Sequence, residues 1–147
     1  PSRRSSDLTI FSKTVSMHMD EAIEKVTAAL VEKEFGILTT IDVKATLKKK
    51  LDVNFRPYMI LGACNPEFAY KAFQSEDKIG TMLPCKVVLQ DAGDGTVEVS
   101  AVDPMASMQA VENPDLGAIA EEIQERLKKV IEGLQTPTGT MAVFVRP

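Results

Sequence analysis

Tyr58-Met59-Ile60-Leu61-Gly62-Ala63-Cys64-Asn65-Pro66 is the stretch on which the fold is decided. Tyr58 to Cys64 reads as a β-strand entered behind Pro57, because proline lacks an amide donor and belongs at the start of a strand, not inside its ladder. Asn65-Pro66 then starts a helix. The Asn side chain accepts an orphan backbone amide, and proline at the first helical position has no amide to orphan. The same device recurs at Asp103-Pro104 and Asn113-Pro114. Helices are therefore predicted from Pro66 to about Phe73, briefly after Pro104, and from Pro114 to near Gly133. A second cysteine motif, Leu83-Pro84-Cys85, reads as the entrance to the next strand.

Working outward, Leu8-Thr9-Ile10-Phe11 begins a first strand that ends near Thr14 or Val15. Met19, Ile23, Val26 and Leu30 share one helical face, and Gly36 is expected to end that helix in the left-handed conformation. Ile37 to Val43 reads as a second strand and Ala45 to Leu51 as a short helix. Cys85 to Gln90 and Thr96 to Val102 form a hairpin about Asp91-Ala92-Gly93-Asp94-Gly95, whose spacing does not match a calcium loop. In the last helix Leu116, Ile119, Ala120, Ile123, Leu127, Val130, Ile131 and Leu134 make one apolar stripe, suited to packing across a sheet, with pairing to a partner helix the lesser reading. The order β-α-β-α-β-α-β-β-α-α predicts an α+β architecture, a mixed sheet with helices packed on one face. Residues 1–7 read as a polar, disordered lead-in, 8–134 as a single domain and 135–147 as a tail. Within the tail, Met141 to Val145 reads as an extra strand for its own sheet edge or for a neighbouring subunit.

The 147 residues are 44% apolar and 26% charged, enough for a core that needs no disulfide or structural zinc. A net charge of −4 lacks the basic field of a nucleic-acid binder. Lys44, Lys48, Lys49, Lys50 and Arg56 read as a solvated face, with attraction of a small anion the lesser alternative. No run approaches the roughly 20 apolar residues of a membrane span. Two cysteines without secretory context favour a reducing, cytoplasmic setting. The chain opens at Pro1 and not at Met, which leaves a preceding targeting segment open.

No P-loop, dinucleotide-binding, nucleophile-elbow or zincin motif is present, which points away from the common enzyme classes. His18 is the single histidine and reads as a capping or exposed residue. Asp42, Lys48 and Arg56 read as a polar rim or as ordinary surface ion pairs. The candidates that remain are the two thiols. Cys64 precedes a helix N-terminus, where a thiol pKa can fall, and Cys85 opens a strand. If the two strand ends are neighbours, Cys64, Asn65 and Cys85 line one ligand site, and Met82 joins the two sulfurs as a soft-metal ligand. Each cysteine is equally at home as a small apolar core residue.

Tyr58 to Pro66, Ala69 and Ala72, Ile79-Gly80, Leu83-Pro84-Cys85 with Val87-Val88, and Asp103-Pro104 together resemble the bacterial and archaeal family called domain of unknown function 302. Gly36-Ile37-Leu38 and Ile41-Asp42-Val43 also fit it. The resemblance covers about Leu8 to Leu134. It implies a compact α+β fold of the TATA-binding-protein-like group, with a curved, mostly antiparallel sheet backed by helices, and it is in keeping with a homodimer. It implies no particular activity and leaves the cofactor unknown. The leading expectation is a small binding domain holding a small molecule or a soft metal between the Cys64 and Cys85 motifs. A thiol-dependent enzyme of sulfur metabolism and an oligomerisation module are the alternatives.

Overall fold

The computed structural model describes residues 10–108 and 113–134. The polar lead-in, Leu8-Thr9 and the Met141–Val145 segment lie outside the described residues. The elements are β1 (Ile10–Val15), α1 (Met19–Glu32), β2 (Gly36–Asp42), α2 (Val43–Leu51), β3 (Tyr58–Cys64), α3 (Pro66–Ser75), a 3-10 turn (Ile79–Met82), β4 (Cys85–Gly93), β5 (Thr96–Val102), α4 (Pro104–Ser107) and α5 (Pro114–Glu132). All three Asx-Pro helix starts form as the sequence predicts. Asn65 Oδ1 accepts from Phe68 N at 3.0 Å, Asp103 Oδ1 from Met105 N at 3.0 Å, and Asn113 Oδ1 from Asp115 N at 3.0 Å.

The sheet order is β1-β5-β4-β3-β2, and every pairing is antiparallel. Alternation of strands and helices suggested a mixed sheet; the described strands include no parallel neighbours. The reason lies in the connections. α2, and α3 with its 3-10 turn, each return the chain to the end of the sheet at which it left, so the next strand runs back. Only α1 travels the sheet's length, its 14 residues spanning about 21 Å at 1.5 Å per residue. It leaves β1 and β2 parallel in direction but on opposite edges.

One face of the sheet is dry. Leu61, Ala63, Val87, Leu89, Val97, Val99 and Ala101 alternate inward and are at most 2% exposed. They meet Ala22, Val26 and Leu30 of α1 and Ile123, Leu127 and Val130 of α5. The α5 stripe therefore packs across the sheet. Burial of each valine, leucine or isoleucine side chain among them contributes roughly 1.5–3 kcal/mol. The hairpin closes on Asp94 and Gly95, both at positive φ (52° and 75°), as the two-residue turn favoured between twisted strands requires.

The end of α1 departs from expectation. Gly36 opens β2, and the left-handed residue is Glu34 at φ 68°. Glu34 N bonds Val31 O at 2.9 Å and Phe35 N bonds Leu30 O at 2.8 Å, the paired bonds of a Schellman end. A side chain in this conformation costs roughly 1–2 kcal/mol. Arg126 of α5 offsets it by donating to Glu34 Oε1 at 2.8 Å and to Lys33 O at 3.1 Å. The long-range partner is what a local reading of glycine could not supply.

Gly62 is buried where β2, β3 and the Pro84 loop converge. A Cβ there would collide with Thr39 Oγ1 and lie 2.8 Å from Pro84 Cγ. The threonine can rotate, but the proline ring cannot. Gly62→Ala is expected to destabilise the protein by about 1–3 kcal/mol, measured by urea denaturation.

Candidate functional site

The two cysteine motifs meet at one end of the sheet because β3 ends where β4 begins. Ala63 lies directly opposite Cys85, and Cys64 opposite Gly36 on the other side. Successive strand residues alternate faces, so Cys85 shares the core face with Ala63, and Cys64 starts from the opposite one. Cys85 is buried and Cys64 half-buried; both are free thiols. Asn65, itself buried, spends its Oδ1 on the α3 cap and turns the helix away from the strand.

Cys64, Asn65 and Cys85 border one cleft. Phe68 and Ala72 of α3, Ile119 and Ile123 of α5, and Leu83 form much of its wall. The wall is almost wholly apolar and the open space is about 30 Å³. That is room for roughly one or two water-sized groups. Met82 stands apart: it ends the 3-10 turn, is 37% exposed and does not line the cleft. Among the described residues no group of three or more His, Cys, Asp or Glu side chains could hold a metal ion.

Burial sets the thiol chemistry. Burial first, then the nearby Cys64, with Lys86 acting the other way, together push the Cys85 thiol up to about 11. Burial also raises Cys64. Proximity to the α3 N-terminus does not lower the Cys64 thiol: desolvation raises it even though the side chain is only half-buried. Both side chains are neutral thiols at neutral pH.

The other polar candidates do not assemble. Asp42 caps α2 through Ala45 N at 2.9 Å, Lys48 pairs with Asp52 at 2.7 Å, and Arg56 donates to Gln90 Oε1 at 3.0 Å while lying 4.4 Å from the Phe55 ring centroid. His18 precedes α1 as an exposed residue whose side chain makes no cap hydrogen bond. Sequence reasoning missed Phe68, Ile119 and Ile123 as cleft residues. The α5 stripe contained the last two, but periodicity marks a buried face without saying which element it meets.

A buried acid whose folded pKa is raised keeps its proton longer in the folded state than in the unfolded one. Stability is therefore full below the unfolded thiol value and falls as pH climbs from about 9 to about 11. Cys85 should account for a loss of about 2–3 kcal/mol over that window. Denaturation midpoints against pH should show this decline in the wild type and a flatter profile in Cys85→Ala.

A family model described as domain of unknown function DUF302 matches residues 11–134. A crystal structure of an uncharacterized conserved protein DUF302 from Bacillus stearothermophilus superposes with a TM-score of 0.77 at 30% sequence identity, covering 84% of this chain and 95% of that one. No curated protein matches. The motif-bearing strand ends, the three capped helices and the cleft between them all fall inside the matched span, and the chain belongs to the DUF302 family.

Proposed function

We propose that the protein is a small binding domain whose ligand seats in the apolar cleft bordered by Cys64, Asn65 and Cys85. The observation that carries this reading is the lining itself: two neutral thiols and one committed amide among apolar side chains. Such a wall favours a compact apolar or soft ligand over a charged metabolite, whose desolvation it would not repay. A thiol-dependent enzyme has less support, since a nucleophilic cysteine needs thiolate character and burial here opposes it.

Thermal denaturation with a series of compact apolar molecules, and native mass spectrometry with copper(I), test the proposal. An apolar ligand at a hundredfold excess over its Kd should stabilise the fold by about 2.7 kcal/mol. Ala69→Phe, at the half-buried α3 wall of the cleft, should abolish that shift. A copper(I) adduct lost in Cys64→Ser/Cys85→Ser would identify a soft-metal site instead. No shift and no adduct with any probe would overturn the binding reading.

The homodimer reading rests on a different feature. The face of the sheet opposite α1 and α5 carries a row of Ser12, Ser100, Val88, Ile60 and Ile41, one residue from each strand. Each member of the row remains at least partly exposed. A second copy presenting the same face would cover the apolar half of this row. Light scattering is expected to give twice the chain mass for the wild type and the single mass for Ile60→Lys. A wild type of single mass at all concentrations would refute it.

A further inference from the structure

Apart from Ile41, which also belongs to the exposed sheet-face row, the segment from Leu38 to Arg56 is under-buried in a way that the cleft and the sheet face do not explain. α2 packs beside β2 and β3 but buries none of its nine residues. A helix this short is marginal unless tertiary packing holds it. Leu38 (64% exposed), Leu51 (65%), Ile41 (45%) and Val53 (42%) all fall within this stretch. The same stretch carries five cations (Lys44, Lys48, Lys49, Lys50, Arg56) and two acids (Asp42, Asp52), in a chain whose net charge is −4. Arg56 is held inward by Gln90 and Phe55, and Lys48 is paired with Asp52. Lys44, Lys49 and Lys50 remain exposed.

We infer that α2, the loop after it and the neighbouring β2 edge form a docking face for an anionic lipid surface. The residue types decide among occupants. A second copy of the same patch would bring like charges together. Protein interfaces deplete lysine and favour aromatic anchors, whereas this patch exposes lysines and aliphatics. A nucleic acid would leave Leu51 and Val53 without a partner. At a bilayer interface both classes are satisfied. Aliphatic side chains enter the acyl boundary a short way, and lysine stems lie along it with their ammonium groups among the phosphates. The last-turn lysines Lys48, Lys49 and Lys50 also complement the α2 dipole, which accounts for their position but not for the exposed Leu51 and Val53 beside them.

Co-sedimentation with phosphatidylcholine vesicles, with and without phosphatidylserine, tests the inference. The wild type should sediment with the phosphatidylserine vesicles, stay behind with pure phosphatidylcholine, and be released by salt. Each lysine near an anionic surface contributes roughly fivefold in binding, so Lys48→Glu/Lys49→Glu/Lys50→Glu should weaken it by about a hundredfold or more. Leu51→Ser/Val53→Ser should weaken it with no change in circular dichroism, since both side chains are exposed. Failure of the wild type to sediment, equal binding to neutral vesicles, or unchanged binding of the charge-reversed variant would overturn it. A mass change on light scattering caused by Leu51→Ser/Val53→Ser would also overturn it, by making the patch a chain–chain contact.

Discussion

The α5 stripe from Ile123 to Ile131 lies over the sheet, and with α1 it keeps water from Val87, Leu89, Val97, Val99 and Ala101. This burial governs the other features. A strand that slipped by one residue would turn its apolar set outward, so the need to keep one face dry sets the register of β3 on β4. That register places Ala63 against Cys85 and brings Cys64 to the same end of the sheet. It also leaves the opposite face without cover among the described residues. The cleft and the exposed row are two consequences of one packing constraint.

At the cleft, the same burial determines chemistry. Desolvation disfavours the charged form of an acid, and here it outweighs any help from a helix N-terminus. Neutral thiols pack well against Phe68, Ile119 and Ile123 but make poor nucleophiles. The site is consequently better matched to shape and softness than to covalent catalysis. The small free volume adds that a larger occupant would require α3 and α5 to part.

Local devices locate the elements, and long-range contacts adjust them. The three Asx-Pro pairs act within a few residues and form in the fold as they read in the chain. The end of α1 does not. Its left-handed residue is a glutamate, and that carboxylate and the preceding carbonyl both accept from Arg126, far away in sequence. The same arginine lies 5.0 Å from the Phe68 ring centroid, so the end of α1, α5 and the α3 wall of the cleft share one anchor.

The sequence by itself determined the α+β class, the element order, the three capped helix starts and the inward face of α5. These depend on periodicity and capping, which act over one or two turns. Only the tertiary structure decided that the neighbours among the described strands are all antiparallel, that the two cysteine motifs meet through the β3–β4 register, that Met82 stands outside the cleft and that Phe68, Ile119 and Ile123 line it. It also decided the thiol state. Cys64 reads in sequence as a residue before a helix, with a pKa that proximity to the helix could lower. In the fold Cys85 is buried and Cys64 half-buried, and desolvation, which no local motif encodes, raises both.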